Sequence, residues 1–448
     1  MPDHNRGNWF ALDLPVFGII LMMIGLLKKY QKELIASFLL LALFLVSRLI
    51  NLKILPIFVD EAIYLRWAQI AKNDASWRFI SLTDGKQPLF VWLTMISMKV
   101  IQDPLIAGRI VSVVAGLATM IGLWFLTMIL FKNKRTAFFT LVFYLFIPFY
   151  LLYDRMALMD SLVGTFSVWA LLFEILLIRT LRLDFALILG WILGAGILTK
   201  TSGFINIYLF PLVFVLFDWR KRKWRLNLLK LGVLALSAVI ISQIFYSILR
   251  LSPWSHMVAQ KDTTFVYPIK EWLSHPLMFF WGNLRGEFHW LVTYLTWPVA
   301  LLVGYSLVRF KKHPKEKLLL FSWFIVPMVG LAFLAKVLYP RFILFMSLPL
   351  LVLAAASLEE LAGRVGQRWR FLLLCALIFV LPLRIDLDLL FKPTEADIPI
   401  NDRGQYIDSW PAGWGVEETV VFAQREAKDQ EIFIATEGTF GLMPSSLE

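Results

Sequence analysis

The sequence predicts an all-α, polytopic membrane protein, on three observations. Of its 448 residues, 59% are hydrophobic and 17% are charged, whereas an ordinary soluble domain carries roughly 25% charged residues. The hydrophobic residues collect in long runs, and the basic residues collect in short clusters between those runs. Such clusters are typical of the loops that orient membrane helices. A net charge of +12 would suggest a nucleic-acid partner in a soluble protein, but this placement of the basic residues predicts none.

Runs of about 20 apolar residues are long enough to cross ~30 Å of hydrocarbon. The chain contains enough such runs to predict 11 to 12 transmembrane helices. They occupy residues 10–27, 33–55, 105–131, 136–153, 161–178, 183–199, 203–218, 226–249, 290–309, 318–338, 341–359 and 371–390. We expect residues 1–32 to hold an extra N-terminal segment and residues 33–390 to form the main membrane domain.

The basic clusters set the orientation of these helices. Six clusters hold 21 of the 44 basic residues, at 28–32, 132–135, 179–182, 220–225, 309–317 and 364–370. If the run 33–55 crosses the membrane outward, all six clusters fall in cytoplasmic loops, where basic residues accumulate. This alternation of cytoplasmic and outer loops holds only if residues 88–101 do not cross the membrane. We therefore predict that this stretch and the amphipathic stretch 61–73 are two interfacial helices in an outer loop over residues 58–101.

The polar stretch from Phe58 to Leu89 is predicted to form the rim of an active site. It begins with adjacent carboxylates, Asp60 and Glu61, and Lys86 stands near its end. Charges inside a membrane cost about 2.5–3.5 kcal/mol each and usually line a cavity or pathway. A carboxylate placed here can act as a general base on a hydroxyl group. The alternative is an ordinary solvated loop.

Five further charged residues fall on the same predicted side, and each has a structural alternative. Asp160 could simply favour a helix N-terminus, and Lys200 could extend to the interface. Asp154 and Arg155 could form a plain surface ion pair. Arg341 begins a predicted helix, where a cation is disfavoured, so we expect it to bind an anion or to pair with an acid.

Metal and nucleotide chemistry have little support in the sequence. The single cysteine, Cys375, lies in an apolar run, and His256, His275 and His289 lack metal-ligand spacing. No phosphate-binding glycine loop or dinucleotide fingerprint occurs. We expect no required cofactor, although Asp60 and Asp160 across one cavity could hold Mg²⁺ or Mn²⁺.

Residues 391–448 differ in character from the rest of the chain. They are polar and rich in turn residues, with a helical pattern at Glu417–Lys428 and the strand-like EIFIATEG. We predict the start of an extracytoplasmic α/β soluble domain, which breaks off at GLMPSSLE as a truncated domain would.

Several segments resemble one known enzyme group. The segments VDEAIY, GKQPLFVWL, GRIVSVVAGLATMIGLWFL, DRMALMDS, GAGILTK, YPRFILF and LPLLVLAAA are similar, in this order, to those of the dolichyl- or polyprenyl-phosphate-sugar glycosyltransferases. These are the GT-C enzymes typified by the protein O-mannosyltransferases and the lipid A aminoarabinose transferase. The resemblance covers roughly residues 33–360.

The resemblance implies a GT-C fold and an inverting transfer of a hexose or pentose. The donor would be a polyprenyl-phosphate-linked sugar in the cytoplasmic membrane, and the acceptor, an unidentified protein, lipid or polysaccharide, would lie on its outer side. Asp60 would match the catalytic aspartate and Glu61 its partner. Lys86 and Arg341 would contact the carrier phosphate. The other cavity residues would be Asp160, Arg155 and Lys200.

Two positions depart from the family pattern. The usual lysine-proline-proline reads Lys86-Gln87-Pro88 here, which keeps the lysine. The arginine that aminoarabinose transferases place before the tyrosine of the first motif is Ile63 here, which counts against that particular sugar.

Two other functions remain open at this stage. A secondary transporter or lipid flippase could have a similar number of spans, but such proteins tend to carry repeats and midplane polar groups. This chain instead places its charges at outer helix ends and shows no repeat. A related enzyme that transfers a whole glycan or polymer is harder to separate from the leading hypothesis.

Overall fold

The computed structural model describes residues 31–436, Gly438 and residues 440–447. The candidate span 10–27 therefore lies outside the described residues, as does nearly all of the predicted N-terminal segment 1–32. The chain divides into two compact units, residues 1–47 and 48–448. The described part of the first unit, residues 31–47, belongs to one helix.

The described residues fold into helices joined by short turns. These are α1 Gln31–Leu49, α2 Val59–Asn73, α3 Leu89–Ser97, α4 Pro104–Phe131, α5 Lys134–Phe146, α6 Pro148–Asp154, α7 Met159–Thr180, α8 Leu183–Thr199, α9 Phe204–Leu209, α10 Trp224–Ser247, α11 Met257–Phe265, α12 Ile269–Ser274, α13 Phe280–Leu295, α14 Trp297–Val308, α15 Pro314–Leu334, α16 Leu344–Val365, α17 Arg368–Phe391, α18 Ile400–Arg403, α19 Val416–Glu426 and α20 Leu442–Leu447.

Shorter helical turns connect these helices. The 3₁₀ turns are Ala75–Trp77, Ile80–Asp84, Thr201–Gly203, Phe210–Leu216, Ile248–Leu251, Pro340–Ile343, Pro393–Glu395 and Trp410–Ala412, and Gly404–Asp408 forms a π turn. Within the described residues no β-strand is present, and extended pairing is limited to one antiparallel bridge between Val266 and Ala335.

The apolar helices make this a multi-pass membrane protein. Five helical stretches in the described part of the chain are long and apolar enough to span a membrane: Pro104–Phe131, Met159–Thr180, Trp224–Leu251, Pro314–Leu334 and Pro340–Val365. The count reaches seven if each of two bent helix pairs is one span. The segments Leu183–Thr199 and Thr201–Leu216 are apolar but shorter.

Two predicted spans are broken rather than continuous. The run 136–153 bends by 63° between α5 and α6, and the run 290–309 bends by 108° between α13 and α14. Proline lies within the first two residues of both α6 and α14. Because proline lacks an N–H and clashes with the preceding turn, it starts a new helix more readily than it continues one.

Two other predicted spans correspond to single helices with charged residues towards their ends. The predicted runs 33–55 and 371–390 fold as α1 and α17, of 19 and 24 residues. Both are long enough to cross a bilayer. Charged residues lie near both ends of each helix, so these two are not among the five apolar spans.

Both segments predicted as interfacial helices within residues 58–101 are helical, and their position at the outer membrane surface stays a prediction. The segment 61–73 lies within α2, and the segment 88–101 contains the shorter α3. The side chain of Glu61 accepts a hydrogen bond from the Phe58 N–H at 3.0 Å, which satisfies one of the free donors at the start of α2. α2 packs against α3, and both pack against α4.

The longer helices build the wall behind this loop. α4 packs against α5 and α7, α8 lies between α7 and α10, and α16 contacts α5, α7, α14 and α15. The turn Pro340–Ile343 leads into α16 and lies against α13. This packing brings the start of α16 to the start of α2.

The C-terminal residues fold back onto the rest of the second unit. α19 confirms the predicted helix, with bounds Val416–Glu426. α20 packs against α2, and the rings of Trp67 and Phe440 lie 6.2 Å apart between centroids. Residues 431–436, within the strand-like EIFIATEG, have no regular structure.

Candidate functional site

The first ion pair of the site joins the start of α2 to the turn before α16. Nη2 of Arg341 donates to Oδ2 of Asp60 at 2.9 Å. The Asp60 side chain is 24% exposed and that of Arg341 is 9% exposed. The guanidinium of Arg341 also lies over the rings of Phe58, at 5.5 Å, and Tyr339, at 5.0 Å. Aromatic packing thus fixes the cation while the carboxylate stays partly accessible.

Lys86 follows a turn that requires glycine. Gly85 has φ +67°, and a Cβ there would lie 2.4 Å from the carbonyl oxygen of Met257 in α11. The ammonium of Lys86 lies 5.5 Å from the ring centroid of Phe265, also in α11. Among the described residues this ammonium has no hydrogen-bond or ion-pair partner. Lys86 is therefore a cation free to meet an anionic ligand.

The electrostatics place Lys86 in the same region as Asp60. Burial lowers the pKa of Lys86, and the negative charge of Asp60 opposes that shift. The cations Lys200, Arg341 and Lys261 lower the pKa further. Charges in water are largely screened beyond about 10 Å, so the acid and the lysine that the sequence predicts to act together lie within electrostatic reach of each other.

A second ion pair completes the group. Nζ of Lys200 donates to Oδ1 of Asp160 at 2.7 Å, with the side chains 26% and 9% exposed. Lys200 also lies 4.6 Å from the ring centroid of Phe342, the residue after Arg341. Asp160 begins α7 and Lys200 follows the end of α8. The fold thus brings Asp60, Lys86, Asp160, Lys200 and Arg341 to one place.

Glu61 lies apart from this group, in a closed network. Its side chain is fully buried and accepts hydrogen bonds from Nε and Nη2 of Arg109, at 2.9 and 2.8 Å. The N–H of Ala157 adds a third donor at 2.6 Å. Arg109 in turn donates to the carbonyl oxygens of Leu52, Leu55 and Pro56. The pair fixes the chain that leads into α2.

Arg155 and Asp154 also bind framework atoms rather than each other. Arg155 donates to the carbonyl oxygens of Arg48, Ile50 and Asn51 at 2.7–3.1 Å. Asp154 accepts from Nε of Arg48 at 3.4 Å, and from the hydroxyls of Tyr144 and Ser161. Both side chains are at most 4% exposed. Arg155 holds the segment that follows α1 and leads towards α2.

Sequence reasoning missed four residues that adjoin Arg341. They come from α6, α13, α18 and the π turn after α18 and form one hydrogen-bonded cluster around a buried carboxylate: Tyr153, Tyr294, Asp402 and Tyr406. Nη1 of Arg341 donates to the Tyr406 hydroxyl at 3.5 Å. The tail segment DIPINDRGQY indicated only turns, and no local signal places it beside a residue before α16.

The segment around α11 covers the Lys86 side of the site. Lys261 pairs with Asp84 at 2.7 Å, and Nε2 of Gln87 donates to the Thr201 hydroxyl at 2.6 Å. Gln87 is the position where the sequence departs from lysine-proline-proline. Its amide therefore makes a contact between the segment 58–101 and the 3₁₀ turn after α8 that a proline side chain, which has no donor, could not make.

In the part of the chain that the structure describes, no three His, Cys, Asp or Glu side chains converge to hold a metal ion. A cavity of about 610 Å³ lies elsewhere, between α13, α17 and residues 395–400. It is lined by residues such as Arg285, Trp297 and Arg384, and by none of the five grouped residues.

Comparison with known proteins gives the fold its context. The family described as dolichyl-phosphate-mannose-protein mannosyltransferase matches residues 85–246, which include Lys86, Asp160 and Lys200. A crystal structure of ArnT from Cupriavidus metallidurans bound to undecaprenyl phosphate superimposes with a TM-score of 0.61. Its sequence is 15% identical, and the match covers 93% of this chain and 85% of that one. The chain has the GT-C fold.

A second GT-C structure and two curated relatives agree with this assignment. The archaeal oligosaccharyltransferase AglB from Archaeoglobus fulgidus matches with a TM-score of 0.56 and 14% identity, over 90% of this chain and 59% of that one. The relatives are undecaprenyl phosphate-alpha-4-amino-4-deoxy-L-arabinose arabinosyl transferases. Those from Yersinia enterocolitica and Pectobacterium carotovorum are 25% and 27% identical over 62% of this chain. The chain spans about half the length of these relatives.

These findings confirm the resemblance to polyprenyl-phosphate-sugar glycosyltransferases that the ordered segments indicated. They do not favour the transporter or flippase alternative.

Proposed function

We propose that this protein transfers a sugar from a polyprenyl-phosphate carrier to an acceptor hydroxyl, with inversion at the sugar. The observation that carries the proposal is the Asp60–Arg341 ion pair, with the unpartnered ammonium of Lys86 within electrostatic reach of both groups. An acid that can take a proton thus adjoins two cations that can bind a phosphate. The undecaprenyl-phosphate names of the relatives support a lipid-linked donor.

Lys86 and Arg341 are the proposed contacts of the carrier phosphate. When the sugar leaves, the phosphodiester becomes a phosphate monoester and gains about one negative charge. A cation ~4 Å away stabilises that charge by roughly 4 kcal/mol at an effective dielectric near 20. This corresponds to about three powers of ten in rate.

Asp60 is the proposed general base. The acceptor oxygen attacks the anomeric carbon and passes its proton to Asp60, while the bond from that carbon to the phosphate oxygen breaks and its electron pair stays on the phosphate. In the free protein Asp60 is bound to Arg341. Donor phosphate competes for the same guanidinium, so donor binding releases the carboxylate to act as a base.

The other predicted site residues have different proposed roles. The Asp160–Lys200 pair faces the same group of charges and contributes to the cavity wall. The Glu61 carboxylate has no exposed surface and accepts four hydrogen bonds, so we propose that it positions Asp60 through α2 rather than touching substrate. Arg155 acts on the framework in the same way.

The proposed location is the cytoplasmic membrane, with the site on its outer face. The alternation of basic loops supports this orientation. An engineered cysteine at Thr83, in a Cys375→Ser background, should react with an impermeant maleimide added to intact cells. A cysteine at Lys221, in the predicted cytoplasmic loop, should react only after permeabilisation. The reverse pattern would overturn the topology.

No metal is required in this proposal, because cations of the protein meet the phosphate charge. Mg²⁺ or Mn²⁺ between Asp60 and Asp160 is the alternative, and it predicts loss of activity on chelation. The surrounding partner is membrane lipid, and no nucleic acid takes part.

The most informative test identifies the sugar and acceptor together. Mass spectrometry should find a glycoconjugate that disappears when the gene is deleted and returns with the wild-type gene but not with an Asp60→Asn variant. If the missing glycoconjugate has lost a whole glycan rather than one sugar, the result would favour the transfer of a preassembled chain. Solute uptake by vesicles that lack any acceptor would instead support a transporter.

A further inference from the structure

Asp402 lies at the end of a chain of hydroxyl groups that leads to the proposed site. It is fully buried, and its Oδ2 accepts from the hydroxyls of Tyr153, at 2.5 Å, and Tyr294. Its Oδ1 has no hydrogen-bond partner in the described structure. Burying a carboxylate is costly unless it is paired and hydrogen-bonded, and an unsatisfied buried oxygen calls for an explanation.

Tyr406 connects this carboxylate to Arg341. Its hydroxyl donates to the Tyr153 hydroxyl at 3.4 Å and accepts from Nη1 of Arg341 at 3.5 Å. Its ring packs edge-on against Phe58, with centroids 4.8 Å apart, directly before α2. Both hydrogen bonds are at the long end of the range, so each one alone is weak.

The direction of these hydrogen bonds is fixed by chemistry. Arginine has only donors, so the oxygen of Tyr406 must accept and its proton must point towards Tyr153. The proton of Tyr153 then points to Asp402. Every donor therefore points away from Arg341 and towards one acid, which orients Nη1 and leaves Nη2 for Asp60.

We propose that Asp402 and Tyr406 are positioning residues that hold Nη1 of Arg341 from behind, so that Nη2 is presented to Asp60 and then to the donor phosphate. This inference rests on the proposed function, since it assigns Arg341 to the phosphate. It gives the tail segment after the last long helix a role in the reaction.

The charge state of Asp402 should affect donor binding and sugar transfer at the proposed site. Burial raises the pKa of Asp402 to about 6, while the hydroxyls of Tyr153 and Tyr294 and the charge of Arg341 lower it, and Asp160 raises it. Ionisation near this pH completes the acceptor end of the chain. The titratable and charged groups that face Asp402 are Tyr153, Tyr294, Tyr406, Arg341 and Asp160.

The test uses the full-length protein in nanodiscs and two variants. Asp402→Asn keeps the shape but removes the charge, and Tyr406→Phe breaks the chain but keeps the ring. Matched controls are Asp386→Asn, a buried acid with one unpartnered oxygen, and Tyr305→Phe, a phenol whose buried hydroxyl has no partner. All four are compared with wild type for thermal unfolding, for binding of undecaprenyl phosphate and for sugar transfer across pH.

The proposal predicts a loss of roughly tenfold in kcat/KM for both variants and a rise of wild-type activity near pH 6 that Asp402→Asn lacks. Undecaprenyl phosphate binding by wild type should show the same step. A folded Asp402→Asn protein whose pH profiles for binding and transfer superimpose on those of wild type would overturn it. Absence of transfer by wild type, with a pH step in binding that Asp402→Asn abolishes, would remove the proposed function but retain the positioning role.

Discussion

Nη2 of Arg341 lies 2.9 Å from Oδ2 of Asp60, although 281 positions separate the two residues in the chain. The proposed base and the proposed phosphate contact are thus paired with each other. An anionic donor must replace a carboxylate at this guanidinium. The pair therefore couples donor binding to release of the base.

Arg341→Gln should weaken binding of undecaprenyl phosphate by about 10- to 150-fold, since a hydrogen bond to a charged group contributes about 1.5–3 kcal/mol. Binding to nanodisc-embedded protein can be measured by titration. Arg285→Gln, at an exposed arginine that lines the separate cavity, is the matched control. Equal binding by Arg341→Gln and wild type would remove Arg341 from the phosphate site.

Lys86→Gln should raise the KM for the lipid donor, and wild-type donor binding should weaken at alkaline pH. Because burial lowers the pKa of Lys86, its positive charge is lost at a lower pH than for an ordinary lysine. Lys86→Arg should move the alkaline loss to higher pH. Lys72→Gln, on an exposed turn of α2, should leave both properties unchanged. Alkaline behaviour that is the same in wild type and Lys86→Arg would contradict this assignment.

Glu61→Gln should destabilise the protein by about 3–5 kcal/mol, because it removes one partner of a fully buried ion pair with Arg109. The adjacent Asp60→Asn should cost less, since that carboxylate is partly exposed and the amide oxygen can still accept from Arg341. Chemical unfolding in mild detergent compares the two. Similar stability of both variants would show that Glu61 does not organise the start of α2.

Asp402 should make the protein less stable as pH rises from about 4 to 6. Its pKa is 3.8 when unfolded and about 6 when folded, so the folded state binds more protons in this window. Stability is then lost with rising pH, by at most ~3 kcal/mol. Asp402→Asn should flatten this part of the curve of unfolding free energy against pH. An unchanged slope in the variant would contradict the buried, titrating carboxylate.

Chelation should leave sugar transfer unchanged. The proposed site meets the phosphate charge with Lys86 and Arg341, so EDTA treatment should not lower the rate. Added Mg²⁺ or Mn²⁺ should not raise it. A metal-dependent recovery of activity after EDTA would instead assign Asp60 and Asp160 to a metal.

The sequence predicted those parts of the site that depend on local pattern. An acid directly after a long apolar run and a lysine at the end of the same polar loop led to Asp60 and Lys86. The alternation of basic loops along the chain predicted that Asp160, Lys200 and Arg341 lie on the same side of the membrane. The structure brings these five together because helix ends on one side of a bundle are close in space.

What the sequence could not show was which atoms meet. Adjacent residues on a helix point about 100° apart, so one of Asp60 and Glu61 had to face inward, and the pattern does not say which. The tail segment indicated turns, yet Asp402 and Tyr406 reach the site through contacts with residues about 250 positions earlier. The helix breaks at Pro148 and Pro298 did have a local signal in the prolines themselves.

The most direct test of the central claim is sugar transfer by wild type and Asp60→Asn from synthetic polyprenyl-phosphate-linked sugars, with donor binding measured on the same samples. The account predicts a fall of about 10²- to 10⁴-fold in transfer, with donor bound at least as tightly because Arg341 has lost its competing carboxylate. A folded Asp60→Asn protein that transfers sugar at the wild-type rate would contradict it.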